Sequence, residues 1–378
     1  EIGAAANRIK NLAESLQLEG NEVTVICPLP NYPKGKIFKN YKWKIFKKET
    51  TNNIFIKRSW IFPSKSKNGF IRLLSMLSFA FSLWLNLFSL LRKKPNLIII
   101  QSPPLLVAFS GLILSKFINC KNILNVSDIW PLSAFELGVI KKGLFYSFLE
   151  KIEMYNYKMA NRIICQSNEI AFHIKRIVKK DLLIYRNTPS YKEYPVKLKN
   201  NETLKIVYAG LLGYAQGLLN ICKNVDFKKL NSELHLYGSG LEVDEIKAFI
   251  KNKNSNIFFH GEVSKTELNK ELLKYDAGLV PLKNKIFGAV PSKIFELMKY
   301  GIPILFHGDG EGAKIVLKEN LGFVSKPNDI ESLKENIIKF NKLSKEEFRK
   351  LSDNNLIAHK KEYNLQNQFN YLNKNFIK

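Results

Sequence analysis

Cysteine is scarce in this sequence, and the four present, Cys27, Cys120, Cys165 and Cys222, stand far apart with no C-x-x-C pair and no paired histidine. A zinc ribbon and a disulfide framework are thereby excluded, and the thiols read as buried and free in a reducing compartment. No Asp-x-Asp triplet suited to Mg²⁺ is present. Low-complexity tracts are also lacking, which leaves a globular chain with 46% hydrophobic and 24% charged residues. Acidic residues are few: 33 Asp and Glu stand against 59 Lys and Arg, for a formal charge of +26. Such an excess attracts an anionic partner such as a membrane surface, nucleic acid or a phosphorylated substrate. It also accompanies AT-rich coding, because Lys, Asn, Ile and Phe are enriched together. The sequence has no start methionine, and Glu1-Ile2-Gly3-Ala4-Ala5-Ala6-Asn7-Arg8 reads as a loop and helix start. An α/β domain ordinarily opens on a strand, so a short N-terminal strand is expected to be missing.

What is present is a β-α rhythm over 378 residues, enough for two domains. Ile9, Leu12, Ala13 and Leu16 recur at helical spacing, and Glu22–Cys27 then reads as a buried strand. Pro28 to Lys36, with three prolines, must be a loop at that strand's carboxyl end, where ligands bind in open α/β sheets. Asn31 and Tyr32 lie in it. Further strands follow at 53–60, 97–100, 122–127, 162–166 and 182–186, with helices between them, so a parallel sheet is expected. Pro103 stands at the turn after one strand, and Asp128-Ile129-Trp130-Pro131 after another. Asp128 is either a carboxylate placed for chemistry or a turn cap.

Residues 69–91 are apolar over about the length that spans a bilayer, with Arg72 near one end and Arg92-Lys93-Lys94 at the other. Three readings stand open: a membrane span, opposed by Arg72 and Asn86; a buried domain helix; and a domain helix whose outer face, with Phe79, Trp84 and Phe88, lies in a lipid interface.

Asn187 to Glu202 reads as a linker, after which the rhythm restarts with a strand at 204–209. Gly210-Leu211-Leu212-Gly213-Tyr214-Ala215-Gln216-Gly217 follows as a glycine-bearing loop that lets backbone N–H groups approach a phosphate. Gly238-Ser239-Gly240, Gly261-Glu262-Val263 and Pro281-Leu282 end later strands, on the same sheet edge. Val290-Pro291-Ser292-Lys293-Ile294-Phe295-Glu296 opens a helix that stops at Gly301. Ile294, Leu297 and Met298 share its packing face, while Ser292, Lys293 and Glu296 cluster on another. An ammonium and a hydroxyl at a helix start suit a phosphate, and a carboxylate one turn on suits a sugar diol. A surface helix with a Lys–Glu pair has the same spacing. The last stretch, from about Ile330, reads as three amphipathic helices.

Together these stretches resemble a family-four retaining glycosyltransferase of the GT-B architecture, two Rossmann-like doubly wound domains facing across a cleft. The residues that carry the resemblance are Tyr208-Ala209-Gly210 with Gly213–Leu218, Leu236–Gly240, Phe259–Val263 and Val290–Glu296, joined by Gly3–Arg8, Pro30–Gly35, Ser102–Leu106 and Asp128–Pro131. The subgroup most similar includes N-acetyl-L-fucosamine and colanic-acid-type sugar transferases. The resemblance implies an acceptor domain at 1–187, a linker at 188–203, a nucleotide-sugar domain at 204–360, and a last helix, 361–378, crossing back to the first domain. It implies a UDP-sugar donor, a polyprenyl-diphosphate-linked acceptor, no metal or other cofactor, no nucleic acid, and a cytoplasmic enzyme held on the inner face of an anionic membrane.

Residue roles follow from the same resemblance. Glu296, Lys293 and Asp128 would be catalytic. Gly3, Arg8, Gly210, Gly213, Tyr214, Gln216, Gly217, Gly238, Ser239, Gly240, Val263, Pro281, Leu282, Ala289, Val290, Pro291 and Ser292 would hold the donor. Asn31, Tyr32, Pro103 and Trp130 would meet the acceptor. Two departures are visible. The first Glu of the family's pair falls on Gly288, and the Arg and Lys common after the second domain's first strand are missing, with Leu211 and Gln216 nearby. A sugar-nucleotide epimerase of the same architecture is the rival enzyme reading. A basic nucleic-acid-binding protein is the rival of another class, weakened because the lysines are spread along the chain with no aromatic-basic module.

Overall fold

The structure is a computed structural model that describes residues 4–31, 35–64, 69–199, 202–252 and 255–377. The chain divides into two compact units, one of residues 1–187 with 369–378 and one of residues 188–368.

Among the described residues unit 1 opens on the helix Ala4–Leu18 and carries seven strands: β1 Thr24–Pro28, β2 Phe46–Thr51, β3 Ile54–Ser59, β4 Leu97–Ser102, β5 Lys121–Val126, β6 Arg162–Cys165 and β7 Leu182–Ile184. They form two sheets rather than the single parallel one expected: β1-β3-β2 and β4-β5-β6-β7. The second is parallel throughout, but β2 runs antiparallel to β3. Asn52 and Asn53, at φ +50 and +60, form a two-residue hairpin loop between them. Asparagine tolerates that left-handed backbone at little cost, and such loops match the twist of paired strands. The last residues belong to this unit: Arg162 donates from Nη1 to the carbonyl of Phe376 at 2.8 Å, and Asn373 donates to Glu19 at 3.0 Å.

The apolar stretch at 69–91 is broken. An α-helix Gly69–Ser82 gives way to a 3₁₀ turn, Leu83–Asn86, and a short helix, Leu87–Arg92. By length and composition residues 73–92 are able to cross a membrane. Here they are tied to the sheet and to the helix Leu105–Phe117. Ser82 donates to the Trp60 carbonyl, Asn86 to the Ser59 hydroxyl at 3.0 Å, and Trp84 Nε1 to Ser110 Oγ at 3.0 Å. The polar residue that argued against a span is thus a buried anchor. Phe79 and Trp84 also depart from the sequence expectation: Phe79 is buried and Trp84 packs edge-on against Phe117, so both face inward and only Phe88 of the three is exposed. The 3₁₀ turn advances the chain by more per residue than an α-helix, which turns Trp84 away from the outer stripe.

Unit 2 is a doubly wound sheet of six parallel strands in the order β10-β9-β8-β11-β12-β13. The ranges are β8 Leu204–Ala209, β9 Ser232–Tyr237, β10 Ile257–Gly261, β11 Ala277–Pro281, β12 Ile304–His307 and β13 Gly322–Ser325. Strand β13 was not foreseen, being short and opening on glycine. On β8, Leu204, Ile206 and Tyr208 enter one core, while Val207 enters the other with Val280, Phe306 and the apolar face of the helix Lys293–Lys299. Burial on both faces is what makes these strands read as continuous apolar runs. The expected linker is pinned to this unit. Lys197 donates to the carbonyls of Leu273 and Tyr275, and Lys199 to those of Asn341 and Leu343, at 2.6 and 3.0 Å. Burial pulls the Lys197 ammonium down to about 8.

Candidate active site

In unit 2 strand order reverses between β8 and β11, the switch point where loops diverge and leave a crevice at the strands' carboxyl ends. The predicted donor loops of this unit lie at that end. The ladder continues past the strands: Gly210 N–H donates to the Tyr237 carbonyl at 2.9 Å, Leu212 to Ser239 at 2.9 Å, and Gly238 to Gly261 at 2.8 Å. Across the switch point Lys283 N–H donates to the Ala215 carbonyl at 2.9 Å. Packing here is backbone on backbone. A Cβ on Gly238, whose φ is +129, would stand 1.9 Å from the Gly210 carbonyl oxygen.

The helix observed at Lys293–Lys299 starts two residues later than the proline entry suggests, with Ser292 as its cap residue. Ile294, Phe295, Leu297 and Met298 are buried and fix its roll. That packing directs Lys293 to the glycine loop. Its Nζ lies 5.0 Å from the centroid of the buried Tyr208 ring, and a Cβ on Gly210 would come within 2.7 Å of it. At Gly210 the φ of +148 disfavours a side chain, and the lysine tip fills the space that one would take. Tyr208, absent from the sequence-based site, is the cation's floor, and its hydroxyl donates to the Leu211 carbonyl at 2.5 Å. Tyr208 carries part of the resemblance, but nothing in sequence spacing points to its ring as the cation's floor, since the contact arises by tertiary packing.

Burial lowers the Lys293 pKa, partly offset by Glu296. Glu296 is crowded by protein, which raises its carboxyl pKa, countered by Lys293, Lys265 and Lys299. Its outer edge nonetheless reaches water, so the side chain is open to a ligand. Tyr214 is exposed, Ser239 donates to Glu262 at 2.5 Å, and Gln216 buries a side-chain oxygen that has no partner among the described residues. Gly213 and Gly240 lie in the same glycine loops, Gly217 caps the next helix at φ +65, Pro281 is the buried last residue of β11 with Leu282 half-buried after it, and Ala289, Val290 and Pro291 are half-buried in the segment leading to Ser292. Val263 and Val290 pack on the core beneath the loops.

Gly288 is buried at φ +85. A glutamate there would adopt a left-handed backbone at a cost of about 1–2 kcal/mol. Gly288→Glu is accordingly expected to lower stability by at least that amount in urea unfolding and not to improve donor turnover.

Residues 191–372 match the family model described as "Glycosyl transferases group 1". That match places a group 1 glycosyltransferase domain in the second half of this chain. A curated relative from Pseudomonas aeruginosa, named a glycosyltransferase, WbjE, is 25% identical over 287 residues, covering 71% of this chain and 72% of its own. WcaI of Escherichia coli K12, described as a colanic acid biosynthesis glycosyl transferase, is 26% identical over 241 residues, 57% of each chain. Among solved structures, sucrose-phosphate synthase from Thermosynechococcus elongatus superimposes with a TM-score of 0.71 at 14% identity, over 97% of this chain and 91% of its own. An Escherichia coli structure titled as trehalose-6-phosphate bound with UDP-2-fluoro glucose gives 0.68 at 11% identity, over 99% and 95%. The fold of this glycosyltransferase is thus the GT-B architecture of two Rossmann-like domains, and its switch-point site is in the domain the family model covers.

The unit 1 candidates are more dispersed. Asp128 follows β5, half-buried, its carboxyl raised by burial and steadied by a hydrogen bond from Ser133. Trp130 lays part of its ring on the cluster of Leu105, Leu149 and Ile152. Pro103 stands just past β4, and Asn31 turns back to donate to the Leu29 carbonyl at 2.9 Å. Arg8 is 2% exposed: its Nη2 donates to the Tyr185 carbonyl at 2.8 Å, while Nε and Nη1 have no partner among the described residues. Burial lowers its pKa to about 10. Arg8 therefore ties the first helix to the end of β7. Gly3 and Tyr32 lie outside the described residues.

Proposed function

We propose that this glycosyltransferase moves a sugar, an N-acetylated deoxyhexosamine as the favoured case, from a UDP-sugar to a polyprenyl-diphosphate-linked acceptor with retention at the anomeric carbon. The process served is the building of a bacterial capsule, O-antigen or exopolysaccharide at the inner face of the cytoplasmic membrane. The observation that carries the reading is Lys293, seated on Tyr208 against the glycine loop, with Glu296 one turn on and open to solvent. As the glycosidic bond breaks, negative charge grows on the leaving diphosphate, and a fixed, poorly hydrated ammonium stabilises it more than water does. Glu296 accepts hydrogen bonds from sugar or ribose hydroxyls. The loops at Gly210–Gly213 and Gly238–Gly240 bring backbone N–H groups to the nucleotide, and the unpartnered Gln216 oxygen awaits a donor. Asp128, Asn31, Tyr32, Pro103 and Trp130 serve the acceptor. The names of the two relatives and the UDP-sugar in a structure of the same fold support a nucleotide-sugar donor.

The test is to incubate the enzyme with radiolabelled UDP-sugars and bacterial lipid extract and follow label into the organic phase. Transfer supports the reading. Isomerised UDP-sugar with no transfer supports the epimerase instead.

Lys293 gives a pH prediction. Its pKa is lowered, so the free enzyme loses the ammonium at lower pH than an ordinary lysine, and donor KM is expected to rise as pH climbs through that value. Lys293→Arg is expected to flatten this alkaline limb because guanidinium stays charged. Lys293→Met is expected to cost roughly a hundredfold in kcat/KM at neutral pH.

A further inference from the structure

From residue 23 to residue 127 the sequence holds 17 of the basic residues and one acidic residue, Glu49. This nearly acid-free segment builds the whole of one apolar face of unit 1. The outer stripe of the broken helix, Phe81, Leu85 and Phe88 at i, i+4, i+7 spacing, is 73, 61 and 78% exposed. Beside it a hollow of about 470 Å³ is lined by Ile45, Trp60, Ser78, Phe81, Ser82 and Leu85. Ser82 spends its hydroxyl on the Trp60 carbonyl and Ser78 on the Ser75 carbonyl, so the hollow offers a ligand little polarity. Two residues before Ile45 in the chain stands Trp43, 100% exposed at φ +65 between exposed Lys42 and Lys44.

A fully exposed Trp in a left-handed backbone conformation is costly in water and is at home where an indole sits among lipid headgroups. Exposed Phe and Leu beside basic flanks mark helices that lie in a membrane interface, and the apolar hollow has the volume to take part of an acyl chain. A second protein as occupant would need acidic groups to face a segment that carries 17 basic residues and one acidic one. A nucleic acid would meet an apolar hollow with no polar group to read it.

We propose that this face docks on an anionic phospholipid bilayer, with Trp43 at the headgroups and one lipid chain in the hollow between Ile45, Trp60 and Phe81. The assignment deepens the membrane part of the functional reading, but it stands on the surface alone and does not require transferase activity. Polybasic surfaces gain roughly 1 kcal/mol per lysine or arginine near an anionic leaflet, and the gain is screened by salt.

The experiment is flotation of the full chain with phosphatidylcholine vesicles with and without phosphatidylglycerol. Wild type is expected to float with the anionic vesicles and to be released by salt. Phe81→Ser/Leu85→Ser and Trp43→Ser, exposed positions whose circular dichroism should match wild type, are each expected to lower partitioning roughly tenfold. Glu296→Ala is expected to float like wild type. The proposal is overturned if the Phe81→Ser/Leu85→Ser protein floats undiminished, if binding ignores lipid charge, or if sedimentation without lipid reveals a dimer that this variant breaks. Failure to float alongside transfer to a water-soluble acceptor would remove the docking face and keep the enzyme. Flotation with no transfer would do the reverse.

Discussion

Glu296→Ala is expected to lower kcat/KM for the nucleotide sugar by about 10²–10³ while leaving the unfolding midpoint close to wild type. The activity loss follows from two hydrogen bonds to an ionised acceptor, each contributing about 1.5–3 kcal/mol. The fold is spared because the side chain reaches water and the neighbours that hold the helix, Ile294, Phe295, Leu297 and Met298, are untouched. Alanine also suits a helix at least as well as glutamate. Steady-state kinetics beside a urea titration reads both halves. Full activity in a folded Glu296→Ala protein would remove the carboxylate from the mechanism. A parallel collapse of stability and activity would make it structural.

Gly238→Ala is expected to do the opposite and damage the fold first. The added Cβ falls 1.9 Å from the Gly210 carbonyl oxygen and 2.9 Å from its carbonyl carbon, at a φ of +129 that side chains rarely adopt. Backbone cannot swing aside as a side chain does, so the β8 and β9 loops must separate. Breaking up their ladder is expected to cost about 4 kcal/mol or more. Gly143→Ala is the matched control, since a Cβ there meets nothing within 4 Å. Denaturant unfolding of the two variants decides the matter: equal midpoints would mean that the loops are less closely joined than described.

Much of the architecture was legible because the physical signals were local. Continuous apolar runs at β8, β9, β11 and β12 announced strands buried on both faces, and the glycine turns marked their carboxyl ends. Strands β2 and β13 were illegible for the same reason in reverse. Phe46–Thr51 carries Lys47, Lys48 and Glu49 on a solvent-facing edge, and β13 has only four residues, opening on Gly322. The direction of Trp84 depends on a 3₁₀ turn that the apolar composition of 69–91 does not encode. At the site, Lys293 and Glu296 declared themselves by helical spacing. The Tyr208 floor and the burial of Arg8 are long-range packing outcomes, with partners 85 and 177 residues away in sequence.

The loop at Gly288 also limits what substitution can add to this part of the molecule. A glutamate at that position, as in the pattern the chain resembles, has to take up a φ of +85 at once, so the strain of about 1–2 kcal/mol arrives with the side chain itself. Leu211, Tyr214 and Gln216 carry no such demand, since none of them has a positive φ, and mutagenesis there starts without that backbone cost.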